Sequence, residues 1–171
     1  MKMRNALVLS AALAPIVWAV ACGSDVNTAT GPAPTVLPAD VVALHNSLAP
    51  YSSLALAKAA GYSTAITDCM SNGDEGAMGI HFGNTELFDA VVDAAHPEVL
   101  IYEPGTNGER SLVGVEFLVP YAAVAATAPA PQLFGQKFVH NDVFGVWALH
   151  VWTHRSNPSG LFADWNPRVH C

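Results

Sequence analysis

The chain has 171 residues, 51% of them hydrophobic and only 12% charged, with a formal net charge of −7 at neutral pH. This length supports one domain with a real core, and the acidic balance excludes nucleic acid as a partner, because nucleic-acid binders need basic patches. There is no P-loop, no dinucleotide-binding glycine fingerprint, no Gly-x-Ser-x-Gly elbow, no tandem Cys-x-x-Cys and no internal repeat.

Residues 1–21 read as an export signal. Lys2 and Arg4 give a short positive start, Ala6 to Ala21 is almost wholly apolar, and small residues precede Cys22. The apolar run falls short of the about 20 residues that a membrane span needs. The stretch Ala19-Val20-Ala21-Cys22 resembles the lipobox of bacterial lipoproteins, with Ala19 where leucine is usual. That resemblance implies that Cys22 is lipid-modified, becomes the first mature residue and anchors the protein to a membrane of the cell envelope, at its periplasmic or extracellular face. Ordinary cleavage near Ala21, leaving Cys22 as a free thiol, is the other reading. Loss of Lys2 and Arg4 leaves a charge near −9. Residues 22–37 are rich in Ser, Thr, Asn, Gly and Pro without apolar periodicity, which predicts a flexible tether. Residues 38–171 are then a single globular domain.

Within that domain, Pro38 to Ala60 carries a helical stripe of Val41, Val42, Leu44, Leu48, Leu54, Leu56 and Ala57, with Asp40 as a cap, a break at Pro50 and a stop at Gly61. Strands are predicted over Ala77 to Phe82, Val99 to Glu103, Leu112 to Val119 and Val143 to Thr153, with a short helix over Thr85 to Ala94. Gly/Asn/Pro clusters at 72–76 and 104–108 are turns, and the second closes a hairpin. Tyr121 to Pro131 is a loop or short helix, and Asn157 to Pro167 is turn-rich. The fold class is therefore α+β: an antiparallel sheet of four or more strands, with the N-terminal helices packed on one face.

Three cysteines occur. If Cys22 carries lipid, Cys69 and Cys171 are an even pair in an oxidising compartment and predict a disulfide. A metal ligand or nucleophile at either position is the alternative.

Strand alternation organises the ionisable residues. Met78, Ile80 and Phe82 share one face, and Ala77, Gly79 and His81 the other. Val113, Val115, Phe117 and Val119 oppose Leu112, Gly114, Glu116 and Leu118. Trp147, Leu149 and Val151 oppose Ala148, His150, Trp152 and, if the strand continues, His154. If the apolar faces all meet the helices, His81, Glu116 and His150 lie together on the second face, with glycines and alanines leaving room for a ligand. Two histidines and a carboxylate with open positions suit Zn, Fe or Mn. The same set without metal suits acid–base work, and His154 and Glu103 are possible additional members. Isolated polar residues on a solvated face, or a simple Glu116–His150 cross-strand pair, give the same pattern. Trp147 and Trp152 read as packing. His45 on its helix and His96, His140 and His170 in loops are assigned no role.

From Ala57 onward the chain resembles an uncharacterised family of small exported bacterial proteins. The resemblance rests on "AAGY", Cys69, "GAMGIHF", "PEVLIYEP", "LVGVEF", "LFG", "LHVW" and "NPSGLFADWNPRVHC". It implies that His81, Glu116 and His150 sit within the family's marked stretches, and it supplies no activity. The expectation is thus a membrane-tethered domain with a small-molecule or metal site. The alternatives are a non-catalytic envelope lipoprotein that binds a partner or plays a structural role, and a metal-free hydrolase or lyase.

Overall fold

The structure, a computed structural model, describes residues 37–171. The export signal, Cys22 and the tether as far as Val36 lie outside the described residues. Leu37 already packs against the core. Among the described residues, no helix is long and apolar enough to cross a membrane.

The predicted N-terminal helix divides at Pro50. α1 (Ala39–Ser47) is followed by a 3-10 turn at Ala49–Ser52 and then α2 (Leu54–Ala59). Val41, Leu44 and Leu48 recur at helical spacing and are buried, as is Ala57 of α2. Asp40 is not the cap. Pro38 takes that position, and Asp40 lies in the first turn, where its Oδ1 accepts from the Val41 amide.

The strands are β1 (Thr64–Ala65), β2 (Met70–Ser71), β3 (Ala77–Gly83), β4 (Val99–Pro104), β5 (Arg110–Pro120), β6 (Gln132–Leu133), β7 (Gln136–Lys137), β8 (Val139–Asn141) and β9 (Val146–Val151). Seven of them form one antiparallel sheet ordered β1-β3-β4-β5-β9-β8, with β2 also on β3, while β6 and β7 make a separate hairpin. The fold is α+β, with the helices on one face. Val41, Leu44, Leu48 and Ala57 join Leu100, Tyr102, Val115, Phe117, Leu149 and Val151 in one core.

Three expectations fail for local reasons. Thr85 to Ala94 holds only a single 3-10 turn at Thr85–Leu87, because the side chains of Asn84, Asp89 and Asp93 bond nearby amides in place of a helix. The last long strand begins at Val146, not Val143, and ends at Val151. Residues before Val146 form the turn from β8, a strand that composition alone did not mark. The strict alternation also breaks twice. In β5, Tyr102 pairs with Leu112 but Ile101 pairs with Gly114, so Val113 is an extra residue. Leu112 therefore joins the helix-side core and Val113 the opposite one. In β3, Met70 pairs with Gly79 and Ser71 with Ala77, and Gly79 has φ 102. This bulge turns Met78 away from the helices.

The second face is not solvated. Ala77, Val99, Ile101, Val113, Trp152 and Val169 form a second core there. The C-terminal segment helps build both layers. Leu161 and Phe162 pack against the helix-side core and Val169 against the other. Asn166 is fully buried and exchanges backbone hydrogen bonds with Ala77. Cys69 and Cys171 are disulfide-bonded across a separation of 102 residues, a loop length at which a bridge stabilises by about 2–5 kcal/mol.

Glu98, next to β4, is also buried, and its Oε2 accepts from the Leu118 amide of β5 at 3.0 Å, extending the ladder beyond the end of β4. Burial raises its carboxyl from 4.5 to about 7, and the Leu118 amide offsets only part of this. The folded carboxyl thus keeps its proton to about pH 7, whereas the unfolded chain releases it near 4.5. Its contribution is present below pH 4.5 and lost as pH rises through 7. Glu98→Gln keeps the acceptor and removes the titration. Denaturant melts should show the variant gaining on wild type from pH 5 to 8, by up to about 3 kcal/mol.

Candidate functional site

His81, Glu116 and His150 come from β3, β5 and β9. Glu116 lies directly opposite His150 in the ladder, while β4 separates it from His81. The three side chains converge. Their candidate ligand atoms all lie within 4.8 Å of one another. His81 Nε2 is 3.4 Å from His150 Nε2 and 3.8 Å from Glu116 Oε2, and His150 Nε2 is 3.6 Å from Glu116 Oε1. All three are buried, with exposures of 4%, 7% and 5% for His81, Glu116 and His150.

Each imidazole has an outer partner. His81 Nδ1 hydrogen-bonds Thr67 Oγ1 at 2.9 Å, and His150 Nδ1 faces Asp164 Oδ1 at 3.4 Å. That second approach lacks hydrogen-bond geometry, and His150 Nδ1 has no hydrogen-bond partner. Trp152 stacks beside the His150 ring. Thr67 and Asp164 gave no signal in the sequence. One sits in a short connection and the other in a turn-rich tail, and only the fold brings them to the imidazoles.

Burial sets the charge pattern. His81 is pushed down to about 3 by loss of water and by the facing His150, so it is neutral near pH 7. Glu116 is raised by burial, although His150 opposes this. For His150, burial works against charge, but Glu116 and Asp164 outweigh it and raise its affinity for a proton. Asp164 is correspondingly lowered by its contact with His150. A proton held on His150 between two carboxylates, beside a neutral imidazole, can serve acid–base chemistry. A neutral His81 is also in the state that binds metal.

The other suggested members do not join this cluster. His154 lies beyond the end of β9, stacks on His45 at 4.3 Å and bonds Thr153 Oγ1. Glu103 accepts from Arg155 and from the His170 amide, fastening the tail. The glycines do not provide ligand space. A Cβ on Gly79 would lie 2.7 Å from the Tyr102 carbonyl oxygen, and one on Gly114 would lie 2.8 Å from that of Val151. These residues let backbones approach closely.

Space opens elsewhere. A cavity of about 390 Å³ reaches His81, Glu116 and His150. Ile66, Met70, Met78 and Phe88 line one part of it, and Leu118, Pro120, Phe144 and Val146 another. A second cavity of about 240 Å³ reaches Glu116 and His150 from a polar side that includes His140, Asp142 and Asp164. Trp147 packs on His140, and the Trp152 indole N–H donates to the Ala163 carbonyl, so both tryptophans are packing residues.

His154 is lowered to about 4, first by burial and then by His45. The unfolded chain binds this proton near 6.5, so the stability that His154 contributes above that pH is lost as pH falls toward 4. His154→Gln should flatten the acid limb of the stability–pH curve and leave metal content unchanged, read by thermal melts and elemental analysis of the same samples.

The chain matches no protein-family model, no curated protein and no solved structure.

Proposed function

We propose that this chain is an exported, lipid-anchored envelope protein whose domain holds one divalent first-row transition metal ion on His81, Glu116 and His150. The observation that carries the reading is the meeting of two imidazole Nε2 atoms and one carboxylate, all buried, at the junction of two cavities. Three donors at about 2.0–2.2 Å from one ion stand a little over 3 Å apart. The observed separations of 3.4, 3.6 and 3.8 Å need only a small side-chain adjustment. Thr67 and Asp164 sit where outer partners commonly orient metal-bound histidines. The choice falls among Zn, Fe and Mn, for which two histidines and a carboxylate with open positions are a suitable set. Such an ion would supply Lewis-acid polarisation or an activated water, and the smaller cavity, lined in part by His140, Asp142 and Asp164, leaves space for water beside it.

Elemental mass spectrometry tests the site on the chain from Leu37 onward, exported through an oxidising compartment and purified without a metal-affinity tag. Near-stoichiometric metal is expected in wild type and none in a folded His150→Ala. Thr67→Val and Asp164→Asn should each bind metal about 10–100-fold more weakly. No metal after offering Zn, Mn and Fe overturns the reading and leaves two others, a binding or structural envelope lipoprotein and metal-free acid–base chemistry on the same residues.

The anchor is supported by the positive start, the apolar run and the small residues before Cys22. Cys22→Ser in the full chain should move the protein from the membrane fraction to the soluble fraction. Retention of the variant at the membrane, with Cys22 of the wild type unmodified by mass, overturns the lipid.

A further inference from the structure

The two cavities beside the histidine–carboxylate cluster differ in chemistry. The larger has apolar side chains on most of its wall, and His81, Glu116 and His150 meet it at one place. Its other polar contributors are Thr67, whose hydroxyl is engaged with His81, and Asn141, which accepts from the Phe144 amide. Neither cavity is lined by a lysine or arginine among the described residues. The smaller cavity adds Asp142 and Asp164.

These facts constrain what can bind. The volume of about 390 Å³ lies near the lower end of small-molecule sites, which span about 300–1,000 Å³. Hydrocarbon can fill the chamber by displacing water from Met70, Met78, Phe88, Leu118 and Val146. Apart from the Asn141 amide nitrogen, a strongly polar group finds side-chain partners where the three ligand residues meet. An anionic head there would face Glu116 with no lysine or arginine to balance it. A divalent ion held by a single carboxylate keeps net positive charge and open positions, which reverses the preference toward an anion.

We infer that the larger cavity takes a small amphiphile: a short hydrocarbon body with one carboxylate-class head that completes the metal's coordination. This rests on the metal reading for the head and on the cavity alone for the body. Methionine suits such a chamber, because its unbranched thioether adapts to hydrocarbon of varying shape. Ala122 is exposed and lines the same cavity, so its side chain marks the rim.

Isothermal titration calorimetry tests this on the disulfide-bonded protein, metal-loaded and chelator-stripped, with octanoate, 1-octanol and octylamine as probes. Metal-loaded protein should bind octanoate at least tenfold more tightly than 1-octanol. Stripping should abolish that preference while 1-octanol still binds. Ala122→Trp should weaken both ligands at least tenfold with metal content unchanged. If metal is bound but neither octanoate nor 1-octanol binds, this inference fails and the metal site stands. If metal-loaded protein prefers octylamine, the assigned head is wrong. Unweakened binding to Ala122→Trp overturns the location. If no metal is present, the metal reading itself fails and the carboxylate head fails with it, while 1-octanol binding still reports separately on the chamber.

Discussion

A carboxylate buried in the middle of a fully paired sheet is the constraint on which the rest of the structure depends. Glu116 lies on β5, with β4 on one side and β9 on the other, and both faces of the sheet are covered by apolar cores. A charge in that place is tolerable only with partners at hand, and removing one member of such a buried set costs about 3–5 kcal/mol. His150 is the partner that offsets the charge, neutral His81 lies beside the pair, and each ring has an outer neighbour. The segment around Thr67 and the tail around Asp164 provide these groups. The same two segments carry Cys69 and Cys171, so one covalent bridge fixes the edges of the site.

Much of this was legible in the sequence because it depends on period and parity. The period of two placed β3, β4, β5 and β9 within a few residues, and it aligned Glu116 with His81 and His150 before any register was known. An even pair of cysteines, once Cys22 is set aside, gave the disulfide. What was not legible depends on a single inserted residue or on a distant contact. Val113 and Met78 are extra residues in bulges, and each moves a side chain to the other face. The two-residue strands β1, β2, β6 and β7 are too short to carry a period. Asp164 lies in a turn-rich tail, and its approach to His150 is a property of the folded tail and not of any local pattern. His154 was grouped with the site by continuing an alternation that stops at Val151.

The sequence stretches singled out from Ala57 onward fall on the elements that carry or seal the cluster. "GAMGIHF" covers all of β3 but its last residue, "LVGVEF" lies in β5, "LHVW" closes β9, and the final stretch holds Asp164, buried Asn166 and Cys171. The C-terminal stretch divides by residue. Trp152, Phe162, Asn166 and Val169 build the cores, whereas His150 and Asp164 face the cluster.

The covalent bridge also has a mechanical consequence. β3, β4, β5, β8 and β9 all lie between Cys69 and Cys171, together with the three clustered side chains, while α1, α2 and β1 lie ahead of Cys69. Tension applied between a point upstream of Cys69 and Cys171 therefore passes through the sulfur–sulfur bond and not along the strands. Residues 37–68 can be drawn out to roughly 100 Å at the reach of an extended chain, and the strands within the loop carry none of the load. The helical layer, the edge strand β1 and Thr67 are the parts that yield to pulling, and the strands that carry His81, Glu116 and His150 are shielded from it.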